Sequence, residues 1–287
     1  MSNYILRKGR SSILDLVDGG AVYGYPGQYP GKIYFVNNLT GATGNDGLSW
    51  ETAFAEITEA IDASQAVHAL TTAQFYARNI IYVAGTSVGY AILTELDSDI
   101  SIIGIGRSPY GNGSGIPLIG NIAGGSTVPV TSGATVRGVE FYNMQFAFGS
   151  GSTDGVKLTG NFLRGVFENC SFLCSGSTST GSCLNIDATF AGNLIRHCQF
   201  SGDSGYPAYG INFAASITMN NNIIEDNIII AGTTAAVYIG ASVNAVNSVF
   251  RNNLIGAPQS NDSAIGLDDN GASGAYFINN VIVGADA

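Results

Sequence analysis

The stretch Phe167-Glu-Asn-Cys-Ser-Phe172 decides the fold, because the same six-residue pattern occurs at six places in the second half of the chain. Each copy reads apolar, any residue, Asn-like, small or Asn, any residue, apolar. A shorter apolar pattern, such as Val156-Lys-Leu158 and Leu184-Asn-Ile186, keeps step with it. The six copies are separated by 26, 28, 29, 26 and 27 residues and start at Phe141, Phe167, Ile195, Ile224, Phe250 and Phe277. Two patterns that share one period predict a solenoid with one turn per repeat.

The repeat contains short alternating strands and Gly- or Asn-rich turns, but no segment of helix length. This combination excludes the helical repeat folds and predicts an all-β, right-handed parallel β-helix with coils of about 27 residues. Successive coils stack about 4.8 Å apart, so equivalent residues form columns along the solenoid. Each pattern position can therefore be assigned to one column.

The first and sixth positions are Phe or Ile, and we expect them to point inward as the core. The third position should lie at a sharp bend, where Asn tolerates a left-handed backbone and its amide can bond the next coil. We expect a structural asparagine ladder there, formed by Asn143, Asn169, His197, Asp226, Asn252 and Asn279. The fourth position places Cys170 under Cys198, which leaves a disulfide open, although buried reduced packing residues are the preferred interpretation of all four cysteines.

The second and fifth positions should face solvent. The second places opposite charges on adjacent coils, in the order Glu168, Arg196, Glu225, Arg251, and this order favours cross-strand ion pairs. The fifth changes from polar to apolar along the chain, and runs Gln145, Ser171, Gln199, Ile228, Leu254, Val281. An exposed apolar stripe usually marks an interface, so Ile228, Leu254 and Val281 are predicted to contact another subunit.

The N-terminal third divides into an arm and a cap. Residues 1–31 hold Tyr4, Tyr23, Tyr25 and Tyr29 among glycines and prolines, and we expect an extended arm that docks on another subunit, the alternative being a frayed terminus. Residues 32–287 are predicted to form the β-helix domain, with a capping helix near 52–67 and Ser49 as its N-cap. The chain stops just after the last pattern strand, so we expect a partner to cover that end.

Composition limits the function. The sequence is 45% hydrophobic and 11% charged, with a net charge of −10 and a pI near 4.4. It is therefore predicted to fold, and it lacks the clustered Lys and Arg that nucleic acid requires. No apolar run is long enough for a bilayer span or a signal peptide, so we expect no membrane partner and synthesis in the cytoplasm, the alternative being release by a route that leaves no N-terminal signal.

The candidate catalytic groups are few. Asp154, Asp203 and Asp262 occupy corresponding loops, and with Asp268 and Asp269 they are the best candidates for a glycan or calcium site. Such chemistry needs two carboxylates to converge, so ordinary turn aspartates are the preferred interpretation. Gly85-Thr-Ser-Val-Gly89 matches a nucleophile elbow, but a strand is expected after it instead of the required helix. We predict no catalytic residue, no metal site and no cofactor.

The segment Ile33-Tyr-Phe-Val-Asn-Asn-Leu-Thr-Gly-Ala-Thr-Gly-Asn-Asp-Gly-Leu-Ser-Trp-Glu-Thr-Ala-Phe54, with the helix and Ile80-Ile-Tyr-Val-Ala-Gly85 after it, resembles the N-terminal region of the pectin-lyase-like β-helix superfamily. With the coils, the resemblance covers residues 33–287. That superfamily includes polysaccharide lyases, glycoside hydrolases, phage tailspikes and non-catalytic virion proteins, so it implies a fold more than a function.

Within that superfamily the chain looks most like a bacteriophage virion protein. This implies a non-enzymatic capsid decoration, cement or tail component, located in the virion after assembly in the host cytoplasm. Its expected partners are further copies of itself, as a homotrimer or other oligomer, and virion proteins such as the major capsid protein. The alternatives are a tailspike-type polysaccharide depolymerase and a non-catalytic adhesin that binds a surface glycan.

Overall fold

The computed structural model describes residues 30–69, 78–106, 117–120, 127–149, 154–175, 180–202, 205–230, 232–256, 265–271 and 273–283. The elements in these ranges are, in chain order, β1 Pro30–Val36, α1 Ile57–Ala69, β2 Arg78–Ala84, β3 Ile100–Ile105, β4 Leu118–Gly120, β5 Val130–Ser132, β6 Val136–Arg137, β7 Glu140–Tyr142, β8 Gln145–Phe148, β9 Val156–Leu158, β10 Phe162–Leu163, β11 Val166–Glu168, β12 Ser171–Cys174, β13 Ser182–Ile186, β14 Phe190–Ala191, β15 Leu194–Arg196, β16 Gln199–Gly202, β17 Tyr209–Phe213, β18 Ile223–Glu225, β19 Ile228–Ile230, β20 Ala235–Ile239, β21 Asn244–Arg251, β22 Leu254–Gly256, β23 Ile265–Asp269, β24 Ser273–Ile278 and β25 Val281–Val283.

Three parallel sheets form the walls of one solenoid, and each sheet takes one strand from each successive coil. Sheet A has the order β1-β2-β3-β7-β11-β15-β18-β21-β24, sheet B runs from β4 to β25, and sheet C runs from β5 to β23. A short sheet D joins β6, β10 and β14 at one corner. The first pattern positions pair in register from coil to coil, as Phe141, Phe167, Ile195, Ile224, Phe250 and Phe277. The predicted right-handed parallel β-helix is thereby confirmed.

The first and sixth pattern positions line the bore, as predicted. Phe172 stacks on Phe200 with ring centroids 4.5 Å apart and planes 7° from parallel, and neither side chain is exposed. Phe141 and Phe167 stack in the same way at 5.3 Å. Ile282 differs from the expectation, because 47% of it is exposed on the outermost described coil. An inward position is buried only where a further coil covers it.

The third pattern position forms the predicted bend. All six residues in this column have a left-handed backbone. Their φ angles lie between 52° and 56°, for Asn143, Asn169, His197, Asp226, Asn252 and Asn279. The amide ladder expected there is confined to one bond, from Asn169 Nδ2 to Asn143 Oδ1 at 3.1 Å. His197 Nε2 lies 3.9 Å from Asp226 Oδ2 in the same column. The column is thus selected mainly for its backbone conformation.

The continuous amide ladder lies instead in the fourth position, where packing residues were expected only for the cysteines. Asn227 Nδ2 donates to Asn253 Oδ1, and Asn253 Nδ2 donates to Asn280 Oδ1, both at 3.0 Å. The buried thiols of Cys170 and Cys198 continue the column and point to the carbonyls of Phe141 and Phe167, at 3.5 and 3.4 Å. All four cysteines are buried and none of them forms a disulfide, in agreement with the preferred interpretation.

Helix α1 begins at Ile57, five residues later than the predicted start at Thr52. Phe54 precedes it in a parallel bridge to Val36, so the apolar residues before 57 belong to the wall and not to the helix. Glu59 Oε2 accepts the amides of Ala55 and Glu56, both at 3.0 Å, and thereby caps the first turn. Ser49, the predicted N-cap, instead accepts the Thr52 amide in an earlier turn.

A buried polar network attaches α1 to the first coil. Asp97 Oδ2 accepts from Ser64 Oγ at 2.8 Å and lies 2.7 Å from His68 Nδ1. Asn79 Nδ2 donates to Ser64 Oγ at 2.8 Å, while Asn79 Oδ1 accepts the Lys32 amide. The helix therefore covers the end of the bore, with Ile57, Ala60 and Ile61 packed into the core.

Candidate functional site

The C-terminal part of sheet B carries an exposed apolar patch. Ile228, Leu254 and Val281 lie side by side on β19, β22 and β25, and 41%, 37% and 59% of each side chain is exposed. Ile230 and Val283, two residues further along their strands, are also exposed. We call these five residues the sheet B patch. The three strands read Ile-Ile-Ile, Leu-Ile-Gly and Val-Ile-Val, so no charged side chain interrupts this face.

The same outward column is different in the earlier coils. Gln145 and Ser171 occupy the register position of Ile228, but both are buried, with 3% of each exposed. The prediction that they face solvent is therefore wrong. Gln199 is half-buried and marks the change. The free apolar surface of sheet B starts one coil later, at Ile228.

A second apolar patch lies on sheet A over the same coils. Ile223, Val249 and Tyr276 pair in register on β18, β21 and β24, and Ile278 lies two residues after Tyr276. We call these four residues the sheet A patch. Three of them are well exposed, at 38% for Ile223, 55% for Tyr276 and 46% for Ile278. Within the described ranges, ten of the fourteen exposed large apolar residues lie between positions 223 and 283.

Charged residues on sheet A are arranged as the sequence predicted. Arg196 Nη2 lies 2.8 Å from Glu168 Oε2, and Arg251 Nη2 lies 2.5 Å from Glu225 Oε2. The neighbouring Glu168 raises the pKa of the Arg196 guanidinium. These two pairs make one outward column of sheet A electrically neutral, and Ile278 of the sheet A patch continues that column on β24. They occupy the carboxylates in structural contacts and do not present them together to a substrate.

Sheet C presents a polar and aromatic face. Lys157, Asn185, Asn212, Tyr238 and Asp268 follow one another in register on β9, β13, β17, β20 and β23. Asn212 Nδ2 donates to Asn185 Oδ1 at 2.8 Å, so two of the amides form an outer ladder. The ring of Tyr209 lies 5.1 Å from that of Tyr238. The amides and the paired tyrosines follow the same period of about 27 residues, but no single sequence motif marks them.

The predicted acidic candidates do not form a common site in the described part of the chain. Asp154 is buried, accepting the Ser182 amide at 2.7 Å and Asn185 Nδ2 at 3.0 Å, and its burial raises the pKa of its carboxyl. Asp268 and Asp269 lie on β23, next to Tyr238 and Ile239. Asp203 and Asp262 lie outside the described residues. No group of three His, Cys, Asp or Glu side chains suited to a metal ion occurs among the residues that are described.

The predicted nucleophile elbow, His68 and the N-terminal tyrosines do not form a common site within the described residues. No helix follows Gly85–Gly89; Tyr90 and Leu93 make isolated parallel bridges instead. His68 belongs to the buried network under α1, away from this turn. Tyr4, Tyr23, Tyr25 and Tyr29 lie outside the described residues, so their role in an interface stays a prediction. The one described helix is too short to span a membrane.

The chain was compared with known proteins. No protein-family model and no curated protein sequence matches it. Among solved structures, it is similar to the crystal structure of Escherichia coli YbhC, with a TM-score of 0.42 and 13% identity over 94% of this chain and 89% of that chain. The fold assignment rests on the coil register described above, which places the chain in the class of parallel β-helices.

Proposed function

We propose that this chain is a non-enzymatic structural protein of a bacteriophage particle, and that it assembles with copies of itself through the sheet B patch. The exposed row Ile228, Leu254 and Val281 supports the proposal most directly. Isolated proteins seldom leave such a continuous apolar surface in water, and burying it is favourable by roughly 25 cal/mol per Å². A partner surface should therefore cover it.

A second copy is the partner that suits this surface best. The chain has a net charge of −10, so two copies repel one another over most of their surfaces. The three strands of the sheet B patch carry no charged residue, and two β-sheets pack face to face at about 10 Å. Self-association through this patch buries apolar side chains without bringing carboxylates together.

A structural role is supported further by the state of the acidic groups. Glu168 and Glu225 are held by arginines, and Asp154 is buried under hydrogen bonds. Glycoside hydrolysis requires two carboxylates flanking a bond, free to exchange protons with the substrate. The virion setting, a trimer and contact with a major capsid protein come from the resemblance to phage β-helix proteins.

Light scattering after size-exclusion chromatography tests the assembly. We expect the wild type to be an oligomer, and Leu254→Asp to shift it towards the monomer by raising the dissociation constant at least about tenfold. Val88→Asp is the matched control, because Val88 is an exposed valine on another part of the solenoid. A wild type that stays monomeric at all concentrations would refute the proposal. Co-sedimentation of the chain with purified phage particles tests the virion setting separately.

Glycan binding on sheet C is the second candidate, and the pair Tyr209 and Tyr238 favours it. Tyrosine rings stack on sugar faces, while the amide oxygen of Asn212 can accept from a hydroxyl group. Titration calorimetry with capsular or pectic polysaccharide should show binding that Tyr238→Ala abolishes and Tyr276→Ala on sheet A leaves unchanged. Release of oligosaccharides, lost in Asp268→Asn, would replace the structural proposal with a depolymerase.

A further inference from the structure

Two apolar patches lie on adjoining faces of the same coils. The sheet A patch extends over β18, β21 and β24, and the sheet B patch over β19, β22 and β25. In each coil the two strands are separated only by the left-handed bend at Asp226, Asn252 or Asn279. The patches therefore lie at the same height along the solenoid and face different directions.

With two apolar patches on one chain, two kinds of self-association can be considered. In an isologous dimer, the sheet B patch of one copy meets the sheet B patch of the other, and the sheet A patch stays in water. Tyr276 and Ile278 would then remain about half exposed. In a heterologous contact, the sheet A patch of one copy meets the sheet B patch of the next. Each copy then covers both apolar surfaces.

Charge also fits the heterologous contact. The sheet B patch carries no charged side chain. A surface that packs against it must therefore have its own charges already paired. On the sheet A side, the charges beside the patch are Glu225 and Arg251, which already form an ion pair. Such a face can approach an uncharged one without leaving a single charge desolvated and unpaired.

We propose that copies of this chain assemble through a heterologous contact, with the sheet A patch of one copy on the sheet B patch of the next. Because both patches span the same coils, the copies lie at one height with their solenoid axes side by side. A heterologous contact closes into a ring when its rotation allows, and three copies give the trimer. This inference rests on the self-association proposed above and specifies its geometry.

A mixing experiment tests this geometry. One variant, Ile223→Asp/Tyr276→Asp, loses the sheet A patch, and the other, Leu254→Asp, loses the sheet B patch. We expect each variant alone to be monomeric at concentrations where the wild type is assembled. Mixed in equal amounts, they retain one intact pair of surfaces and should form a heterodimer of two chains, seen by light scattering and by energy transfer between two labels. The mixed pair cannot grow, because its two outer surfaces are both damaged.

The outcomes separate the geometry from the self-association itself. If Ile223→Asp/Tyr276→Asp assembles like the wild type, the contact is isologous through sheet B. The heterologous geometry is then overturned, while self-association stands. If both variants are monomeric and the mixture is too, the geometry is also overturned. A monomeric wild type overturns both proposals. Circular dichroism checks that the variants are folded, and the milder Ile223→Gln/Tyr276→Gln replaces the aspartates if they are not.

Discussion

Replacement of Asn253 by alanine should remove a large part of the stability of the C-terminal coils. Asn253 is 1% exposed and makes four side-chain hydrogen bonds. Its Nδ2 donates to the Ile224 carbonyl at 2.9 Å and to Asn280 Oδ1 at 3.0 Å. Its Oδ1 accepts from the amide and the side chain of Asn227, both at 3.0 Å. Alanine cannot form any of these bonds.

The magnitude follows from the groups that lose a partner. Asn227 Nδ2 keeps its bond to the Ile195 carbonyl, and Asn280 Oδ1 keeps its bond from the Asn253 amide. The Asn227 amide loses its acceptor, whereas the Ile224 carbonyl stays within the paired strands β18 and β21, and a buried donor without a partner costs about 1–3 kcal/mol. The substitution should therefore lower the free energy of unfolding by about 1–3 kcal/mol. Asn253→Cys should cost less, because Cys198 in the same column points its thiol to the equivalent carbonyl.

Urea denaturation followed by circular dichroism measures this loss, and Asn252→Gly is the matched control. Asn252 is exposed on the neighbouring position with φ of 56°, a conformation that glycine adopts readily, so its replacement should change the unfolding free energy by less than about 1 kcal/mol. The expected order of stability is wild type, then Asn253→Cys, then Asn253→Ala. A loss in Asn253→Ala no larger than in Asn252→Gly would refute the ladder as a source of stability.

Three further outcomes are expected. Phe172→Ala should lower the free energy of unfolding by about 3–5 kcal/mol in the same assay, because its buried ring stacks between Phe146 and Phe200; a loss below about 1 kcal/mol would contradict the stacked core. The cysteines should not react with a thiol reagent at pH 8 until the chain is denatured, since burial raises the pKa of Cys183 and Cys198 well above the usual range; fast reaction of the native protein would contradict this. Burial of Asp154 raises the pKa of its carboxyl above the usual 3.8. Its contribution to stability is therefore present below pH 3.8 and is lost as the pH rises through the raised pKa. Unfolding midpoints measured against pH should show this loss in the wild type but not in Asp154→Asn.

The fold could be predicted from the sequence because the inward columns are uniform. Phe or Ile recurs at the first and sixth positions, and an Asn-like residue recurs at the bend, since each coil must fill the same bore and turn the same corner. Ion pairs such as Arg196 with Glu168 could be predicted for the same reason, as strand register makes them neighbours. These features depend on the period alone.

The remaining features depend on contacts that the period does not contain. Gln145 and Ser171 are buried on the outward side of sheet B, which their position in the repeat does not predict. A second internal ladder runs from Asn193 to Asn222 and Ser248, just before the pattern strands, where single Asn and Ser residues gave no distinctive signal. Helix α1 starts late because Phe54 is needed in the wall beside Val36. Each of these is a tertiary effect that overrides a local pattern.

The contrast between inward and outward columns also shows where function should be sought. Stacking forces the inward columns to repeat, so their residues carry information about the fold and little about the partner. An outward column has no such constraint, and a change along it has to be explained by what it contacts. The fifth-position column changes from Ser171 and Gln199 to Ile228 and Leu254 while the inward neighbours Phe172, Phe200, Ile229 and Ile255 stay apolar and buried. Ser171 is polar although it is buried, whereas Ile228 and Leu254 are apolar although they are exposed, and a partner that contacts only the C-terminal coils would explain the exposed apolar residues.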